Sequence, residues 1–425
     1  MKAVVLAAGE GIRLRPLTLT RPKHLIPIGG KPLLERVLLS IKSAGLDEAL
    51  IVVNYMADRL KQYFGDGSKL GMKLEYVFQP EVRGTADAVT PAEPYVKEDF
   101  LLIYGDLFVT SNVVKAVLQV REREGTSASM AVVPVRHPEH YGIVKLEGSR
   151  VTDIIEKPKP GEAPTALANA GIYLFPTEIF EKIRETQSSP RGEYELTDSI
   201  RLLIKGGQTV AAAQIPREDW LDIGRPWDLL EANKRVLSQI KPKVNGLIEN
   251  GAHLVGPVEV AKGARIRSGV YIEGPAFVDK GSDIGPNCFV RRYTSIGKRV
   301  RIGNACEIKN SVVMDKTSIG HLSYVGDSII GEGCNLGAGT IIANYRLDGK
   351  TVKMTIKEEV VDSGRKKLGA ILGDGVKTGI NTLLMPGVKV GPNSHIGPNI
   401  VVHRDVPSDA FLLLRQEIEH RKETN

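Results

Sequence analysis

Ile284-Gly285-Pro286-Asn287-Cys288-Phe289-Val290-Arg291-Arg292-Tyr293-Thr294-Ser295-Ile296-Gly297-Lys298-Arg299-Val300-Arg301-Ile302-Gly303-Asn304-Ala305-Cys306-Glu307-Ile308 carries a branched aliphatic residue at every sixth position: Ile284, Val290, Ile296, Ile302 and Ile308. Neither the 3.6-residue period of a helix nor the two-residue alternation of an ordinary strand gives this spacing. Upstream it also holds at Ile248, Leu254, Val260, Ile266, Ile272 and Val278, so eleven consecutive positions obey it. With roughly half of all residues apolar, a run of that length arises by chance about once in 2,000. Downstream the register slips by one residue at Val313, runs through Ile319 and Val325, slips again at Ile330 and continues to Leu336 and Ile342. A break of 25 residues, Ala343 to Lys367, follows, and the period resumes at Leu372, Thr378, Leu384, Val390, Ile396 and Val402. A repeat of six predicts a parallel β-helix in which each hexad makes one short strand and one turn, its aliphatic residue filling the axis. The polar end, Arg415 to Asn425, is expected to be a helix or a frayed tail.

Before Lys241 the pattern is different. Lys2-Ala8, Glu48-Val53, Lys73-Phe78, Phe100-Tyr104 and Ser129-Val135 are short β-rich runs, and the amphipathic stretches Leu33-Ala44, Met56-Phe64 and Ser111-Glu124 lie between them. That order predicts a doubly wound, Rossmann-like α/β domain, closed by a helix from Pro226 to Gln239 with Pro at its first position. The expected domains are 1–240 and 241–425. A chain of 425 residues, 42% hydrophobic and 25% charged, has the composition of a globular protein, and 5% aromatics against 44 glycines favours many turns. No apolar run approaches the roughly 20 residues of a membrane span, and no secretory signal is seen, so a cytoplasmic protein without a membrane partner is expected. Cys288, Cys306 and Cys334 are too few and too far apart for a disulfide framework, and are expected to be buried thiols. The net charge of +7 is spread along the chain rather than gathered into an arm, which points to small anionic substrates and away from nucleic acid.

Function should sit where residues depart from these patterns. The first strand ends in Leu6-Ala7-Ala8-Gly9-Glu10-Gly11-Ile12-Arg13, with Lys23 shortly after. A glycine turn after a first strand brings backbone N–H groups to a phosphate, yet the Gly-Lys-Ser/Thr of a P-loop is absent and Leu14 stands where a dinucleotide fingerprint needs its third Gly. What remains is a Gly-x-Gly turn with Arg13 and Lys23 placed to neutralise a polyphosphate. Asp106 follows the strand Phe100-Tyr104, and Asp222 lies in a similar turn, Trp220-Leu221-Asp222-Ile223-Gly224. Either alone is commonly a turn or cap residue; together, beside a phosphate loop, they suit Mg²⁺, which takes oxygen ligands and leaves room for water and substrate phosphates.

Residues Met1 to Leu237 resemble the sugar-1-phosphate nucleotidylyltransferase family through LAAGEGIRLRPLT, RPKHLIPIGGKP, QPEVRGTADAV, YGD, EKP and WLDIGRPWDLLEAN, in that order. The resemblance implies that Leu6, Ala8, Gly9, Gly11, Gln79, Gly84 and Thr85 receive UTP or dTTP. It implies that Arg13 and Lys23 are catalytic and that Asp106 and Asp222 hold Mg²⁺. It also implies that Tyr141, Gly142, Glu156, Lys157, Asn169, Gly171 and Glu195 line the sugar phosphate. Ile12 departs from the family's usual small hydroxyl residue, and Arg225 from its commoner Thr.

In the repeat region, Gly320-His321-Leu322-Ser323-Tyr324-Val325-Gly326-Asp327, Asn335-Leu336-Gly337-Ala338-Gly339-Thr340 and Asn344-Tyr345-Arg346 stand out, and the break carries Lys350, Lys353 and Lys357, a natural grip for phosphate. These motifs, between Gly285 and Val402, resemble the acetyltransferase half of archaeal-type bifunctional enzymes that acetylate glucosamine-1-phosphate and uridylylate N-acetylglucosamine-1-phosphate. That resemblance implies a left-handed β-helix, a homotrimer and acetyl-CoA as co-substrate. His321 would be the general base and the Ala338 N–H the oxyanion donor. Tyr324, Asn335, Asn344, Tyr345, Lys350 and Lys353 would bind the amino-sugar phosphate, with Arg291 and Lys309 as further partners. Two alternatives stand beside the bifunctional reading: a monofunctional nucleotidylyltransferase with a scaffolding or regulatory β-helix, and a non-catalytic binding subunit of the same architecture.

Overall fold

A computed structural model of the chain describes residues 1–421. The chain forms two units: Met1–Gly11, Arg21–Ile26 and Lys31–Gly224 make the first, and Ile12–Thr20, Pro27–Gly30 and the chain from Arg225 onward make the second.

The first unit is built on a nine-stranded mixed sheet. Lys73–Phe78, Glu48–Val53, Ala3–Ala7 and Phe100–Tyr104 run parallel and in that spatial order. These strands read as nearly unbroken apolar runs because both faces are covered. Val5, Ala49 and Ile51 turn toward the helices Leu33–Ser43, Ala57–Phe64 and Ser111–Glu124, while Val4, Leu50, Val52 and Leu102 turn toward Ile179–Glu185 and Leu196–Lys205. Beyond Phe100–Tyr104 the sheet reverses: Leu167–Phe175 pairs antiparallel to it, followed by Ala128–Pro134, Val210–Gln214, Arg150–Glu156 and Gly142–Glu147. The antiparallel strands Leu167–Phe175, Arg150–Glu156 and Gly142–Glu147 have no counterpart in the sequence reading. The first of them is interrupted between Asn169 and Tyr173, where its register shifts and Gly171 takes φ +74°, which spoils the alternation that marks a strand.

The second unit is a left-handed parallel β-helix of three sheets with eight, nine and eight strands. The hexad positions stack in register along each sheet: Val260, Val278, Ile296, Val313, Ile330 and Leu372 on the first, Ile266, Ile284, Ile302, Ile319, Leu336 and Thr378 on the second, Ile272, Val290, Ile308, Val325, Ile342 and Leu384 on the third. Nearly all of these are buried in one continuous core. Thr378, the polar exception, satisfies its hydroxyl with Thr340 at 2.7 Å and with the Gly337 N–H at 3.0 Å. Cys288, Cys306 and Cys334 are free and buried in the same core, and burial pushes the Cys288 and Cys334 thiols up to about 12.

The outward positions of the first sheet, Phe277, Ser295, Val312, Ile329 and Ile371, are buried as well. The helix Pro226–Leu237 packs with this face through Asn233, which accepts from the Gly29 N–H at 2.8 Å and the Ser295 hydroxyl at 2.9 Å and donates to the Tyr293 carbonyl at 2.9 Å. Thr20 donates to Asp374 at 2.6 Å. Arg225, whose role the sequence left unassigned, donates its backbone N–H to Asp228 at 2.7 Å at the helix start and lays its guanidinium over Trp227. The break in the repeat is an antiparallel hairpin, Lys353–Ile356 with Glu359–Asp362. From Leu413 to Arg421 the chain is exposed and without regular structure, so the helical alternative is absent there; 422–425 lie outside the described residues.

Ile302 touches the axis from both sides of its coil, so Ile302→Ala is expected to cost about 2–5 kcal/mol and Ile302→Val about 0.5–1.5 kcal/mol, measured as shifts in urea unfolding followed by circular dichroism.

Candidate active sites

In the first unit the site grows from strand register. Leu6 lies level with Val52 and Tyr104, and Val53 with Phe78, so Ala8–Gly9, Gln79 and Gly105–Asp106 emerge at one edge of the sheet, at the strand C-termini. The Gly105 N–H donates to the Leu6 carbonyl at 2.8 Å, and the Gln79 N–H to the Val53 carbonyl at 2.9 Å. Asp222 ends the strand Trp220–Asp222, paired antiparallel to Leu107–Val109 with Asp222 opposite Leu107, and the Ile223 N–H donates to the Asp106 carbonyl at 3.2 Å. Asp106 and Asp222 therefore stand on adjacent rungs.

Lys23 forms an ion pair with Asp106. Next to both is His24, which the sequence reading passed over: it is fully buried, its ring lies against Gly105, and neither ring nitrogen has a hydrogen-bond partner. Burial above all, then the neighbouring Lys23 charge, against a smaller opposite pull from Asp106, lowers its pKa to about 3, so the imidazole is neutral. A cation already rests on Asp106, and the two carboxylates offer oxygen donors only, the donor set that Mg²⁺ prefers. Arg13 stands exposed on the short turn Ile12–Leu14, in a segment that belongs with the second unit, and Ile12 is exposed beside it.

Gln79 is buried, and its amide orientation follows from its partner. Nε2 donates to Asp87 at 2.8 Å, and because an ionised carboxylate only accepts, Oε1 must face away; it is buried and without a donor. Arg83 holds the other Asp87 oxygen at 2.9 Å. Gly84, at φ +133°, has room for no side chain, since a Cβ there would lie 2.4 Å from the Tyr194 carbonyl oxygen. Thr85 accepts the Leu196 N–H at 2.9 Å.

The remaining predicted residues gather where the antiparallel strands meet. Glu156 is opposite Gly142 in register, and the Lys157 N–H donates to the Tyr141 carbonyl at 2.9 Å. Asn169 accepts the Gly171 N–H at 3.1 Å and donates to the Tyr173 hydroxyl at 2.6 Å. Thr197 donates to Glu156 at 3.1 Å, while Arg191 pairs with Glu195 at 2.6 Å and reaches Glu156 at 3.6 Å. Burial, followed by the like charge of Glu195, raises the Glu156 carboxyl above its ordinary value. Arg191 was missed in the sequence; its only signal there is a spacing of four from Glu195.

In the second unit, His321 lies exposed in the corner before the strand Tyr324–Gly326. Its carbonyl accepts the Ser323 hydroxyl at 2.7 Å and the Gly339 N–H at 3.2 Å, so Ala338–Gly339 of the next coil stacks over the His321 corner. Tyr324 is level with Glu307 below and Ile341 above on the third sheet. Its hydroxyl accepts from Asn344 at 3.1 Å, and burial above all, then the Asp327 charge, raises its pKa, keeping the phenol protonated. Lys309 pairs with the buried Asp327 at 2.9 Å, and Arg291 with Glu307 at 2.8 Å over the Phe289 ring. Asn335 is exposed on the second sheet, between Ser318 and Lys377, a different face from Tyr324. Tyr345 is exposed and bridges to Lys367. Lys350 and Lys353 line a cleft of about 650 Å³ together with Arg346, Thr351, Asp362 and Lys366. Arg346 is engaged by Asp348, and Asp362, which accepts the Thr351 hydroxyl at 2.6 Å, is the one carboxylate in the lining against Lys350, Lys353 and Lys366, so the cleft is cationic.

Comparison with known proteins places this geometry among its relatives. Residues 2–239 match the nucleotidyl transferase family model, and residues 272–379 match the GMPPB C-terminal domain model. The chain is 44% identical to the bifunctional protein GlmU of Methanococcus maripaludis over all of both chains. It is 40% identical to a bifunctional sugar-1-phosphate nucleotidylyltransferase/acetyltransferase of Sulfurisphaera tokodaii over 97% of this chain and 99% of that one. Among solved structures, a putative glucose-1-phosphate thymidylyltransferase from Bacillus anthracis, crystallised with sucrose, superposes with a TM-score of 0.50 at 28% identity, covering 55% of this chain and 94% of that one. On these grounds the chain belongs to the nucleotidyl transferase family, within the group of archaeal bifunctional proteins that join a nucleotidylyltransferase to an acetyltransferase.

Proposed function

We propose that the β-helix acetylates glucosamine-1-phosphate with acetyl-CoA and that the α/β unit then couples N-acetylglucosamine-1-phosphate, or glucose-1-phosphate, to UTP or dTTP with release of pyrophosphate. The observation that carries this reading is that one chain holds two separate polar constellations, Asp106 with Asp222 and Lys23 at a sheet edge, and His321 with Tyr324 and Asn344 on a coil. Either would be superfluous in a protein with only the other activity.

In nucleotidyl transfer a sugar-1-phosphate oxygen attacks the α-phosphorus of the triphosphate and pyrophosphate leaves. The phosphate is already a competent nucleophile, so the protein's work is alignment and neutralisation. Lys23 neutralises the phosphates over the Gly9–Gly11 turn, and the family resemblance gives Arg13 a catalytic role as well. Gln79 reads the base: uracil and thymine both present an N3–H donor, and Oε1, the end of the amide that Asp87 leaves unpaired, is the acceptor for it. Glu156, Lys157, Asn169 and Glu195 hold the sugar and its phosphate beside Tyr141, with Gly142 and Gly171 letting Glu156 and Tyr104 pack close to the backbone there. Asp106 and Asp222 would hold Mg²⁺, which draws charge from the triphosphate when bound.

In acetyl transfer His321 removes a proton from the sugar 2-amino group, the nitrogen attacks the thioester carbon, and the oxyanion is met by the Ala338 N–H. Collapse breaks the C–S bond, and CoA leaves as a thiol carrying the proton that His321 took. Tyr324, Asn344 and Lys309 orient the amino sugar, and Lys350 and Lys353 bring cationic charge for its phosphate. Acetyl-CoA and nucleoside triphosphates are cytoplasmic metabolites, which makes the cytoplasm the working compartment. Outward residues of the third sheet support self-association into a trimer: Ile341, Leu383 and Val401 form an exposed aliphatic row on three successive strands.

Asp222→Ala is expected to abolish nucleotide-sugar formation from UTP while acetylation, followed as thiol release from acetyl-CoA, continues; loss of both in a folded variant would break the two-site reading. His321→Ala should do the reverse, lowering acetyl transfer by about 10²–10⁴-fold. Leu383→Glu is expected to reduce the mass measured by light scattering from a trimer toward a monomer.

A further inference from the structure

We infer that Asp327, a residue with no role assigned so far, is the positioning residue of the acetyl-transfer site, the carboxylate that fixes which polar atoms Asn344, Tyr324 and Lys309 present to an amino-sugar phosphate. The inference rests on the acetyltransferase reading given above.

Asp327 closes the strand Tyr324–Gly326 at a corner of the coil, in the left-handed conformation at φ +51° that Asp tolerates better than most residues. Its backbone is tied on both sides: its N–H donates to the Lys309 carbonyl at 2.9 Å and its carbonyl accepts the Gly369 N–H at 2.9 Å. The side chain is buried, at 4% exposure, and receives three side-chain donors. Lys309 Nζ is 2.9 Å from Oδ2, Asn310 Nδ2 is 2.7 Å from Oδ1, and Asn344 Nδ2 also donates to Oδ2. Gly326 makes the cluster possible, because a Cβ there would lie 2.5 Å from the Tyr324 hydroxyl and 2.6 Å from Asn344 Nδ2.

An ionised carboxylate has no proton to give, so it sets the polarity of everything bonded to it. Asn344 must turn its NH₂ inward, toward Asp327 and the Tyr324 oxygen. Its Oδ1, with no donor among the described residues, is then presented as an acceptor. Tyr324 spends oxygen density on Asn344, and its own O–H remains as a donor. Lys309 is held by one of its three hydrogens and keeps the others for a phosphate. Acceptor, donor and cation are the complement of an amino or hydroxyl group, a ring oxygen and a phosphate on one small molecule. An amide in place of Asp327 would have the same shape without that polarity, would permit the Asn344 amide to flip, and would leave Lys309 without its counter-charge.

The test uses the full-length protein, with glucosamine-1-phosphate as the varied substrate and thiol release from acetyl-CoA as the signal. In Asp327→Asn the KM for the amino-sugar phosphate is expected to rise by about tenfold or more, as the loss of a charge-assisted hydrogen bond implies. The KM for acetyl-CoA should be unchanged, and so should nucleotidyl transfer, which reports that the protein has folded. Because part of the Asp327 effect passes through Asn344, Asp327→Asn in an Asn344→Ala background should cost less than Asp327→Asn costs alone, the remainder being the share that passes through Lys309. A wild-type KM for the amino-sugar phosphate in Asp327→Asn, or penalties that simply multiply in the double variant, would overturn the inference. Should Asp327→Asn not fold, Asn310→Gly decides: it removes one donor from the carboxylate at a position already at φ +45°, and the same KM should rise about threefold, no change being the contrary result. Wild-type protein that releases no thiol would instead overturn the acetyltransferase reading itself.

Discussion

Each coil of the β-helix must lay its side chains directly on those of the coil below, and the rest of the second unit follows from that requirement. Strands in such a stack are about 4.8 Å apart, so Ile266 meets Ile284, which meets Ile302, with no freedom to interdigitate sideways. Branched aliphatics of one size satisfy this repeatedly, and even Thr378 is admitted only with its hydroxyl matched to Thr340. The axis therefore dictates one residue in six and leaves the outward positions open to other uses. On the first sheet that freedom gives Phe277, Val312, Ile329 and Ile371, buried alongside the helix Pro226–Leu237. On the third it yields Lys309, Tyr324 and the corner residues His321 and Asp327.

The two sites are built by different means but share one device. In the α/β unit, parallel strand ends at a common edge gather Gly9, Gln79 and Asp106, and an irregular antiparallel strand adds Asn169 and Gly171. In the β-helix, successive corners are stacked instead. In each, a carboxylate that accepts, Asp87 beside Gln79 and Asp327 beside Asn344, determines which end of a neighbouring amide is left unpaired.

The sequence is most legible where a single physical rule acts many times over. The hexads announce the β-helix, including the two slips of register, because stacking repeats the same demand in every coil. The four parallel strands of the α/β unit are visible because sheets covered on both faces need long apolar runs. In the other half Ala128–Pro134 is visible, as the run Ser129–Val135; Leu167–Phe175 is not, since it carries Asn169 and Gly171 in its middle and breaks its own alternation there. Arg191, His24, Asp87 and Asp327 escape notice for a related reason. A polar residue in a turn looks the same whether it points to water or locks a neighbour, and only its partners, distant in sequence or on another coil, tell the two apart.

The hairpin Lys353–Asp362 leaves no trace in the stack it interrupts. Ile330 is level with Leu372, Leu336 with Thr378 and Ile342 with Leu384, as though the 25 residues between Ala343 and Lys367 were a single ordinary corner. The segment enters and leaves the coil at one place, joined by the bridge of Tyr345 to Lys367. Its length is consequently uncoupled from the scaffold, and a lineage can lengthen, shorten or recharge it as an appendage without re-registering a coil. The basic cleft thus sits on a segment whose length and charge the stack does not constrain, while His321 and Tyr324 are carried by the coils themselves.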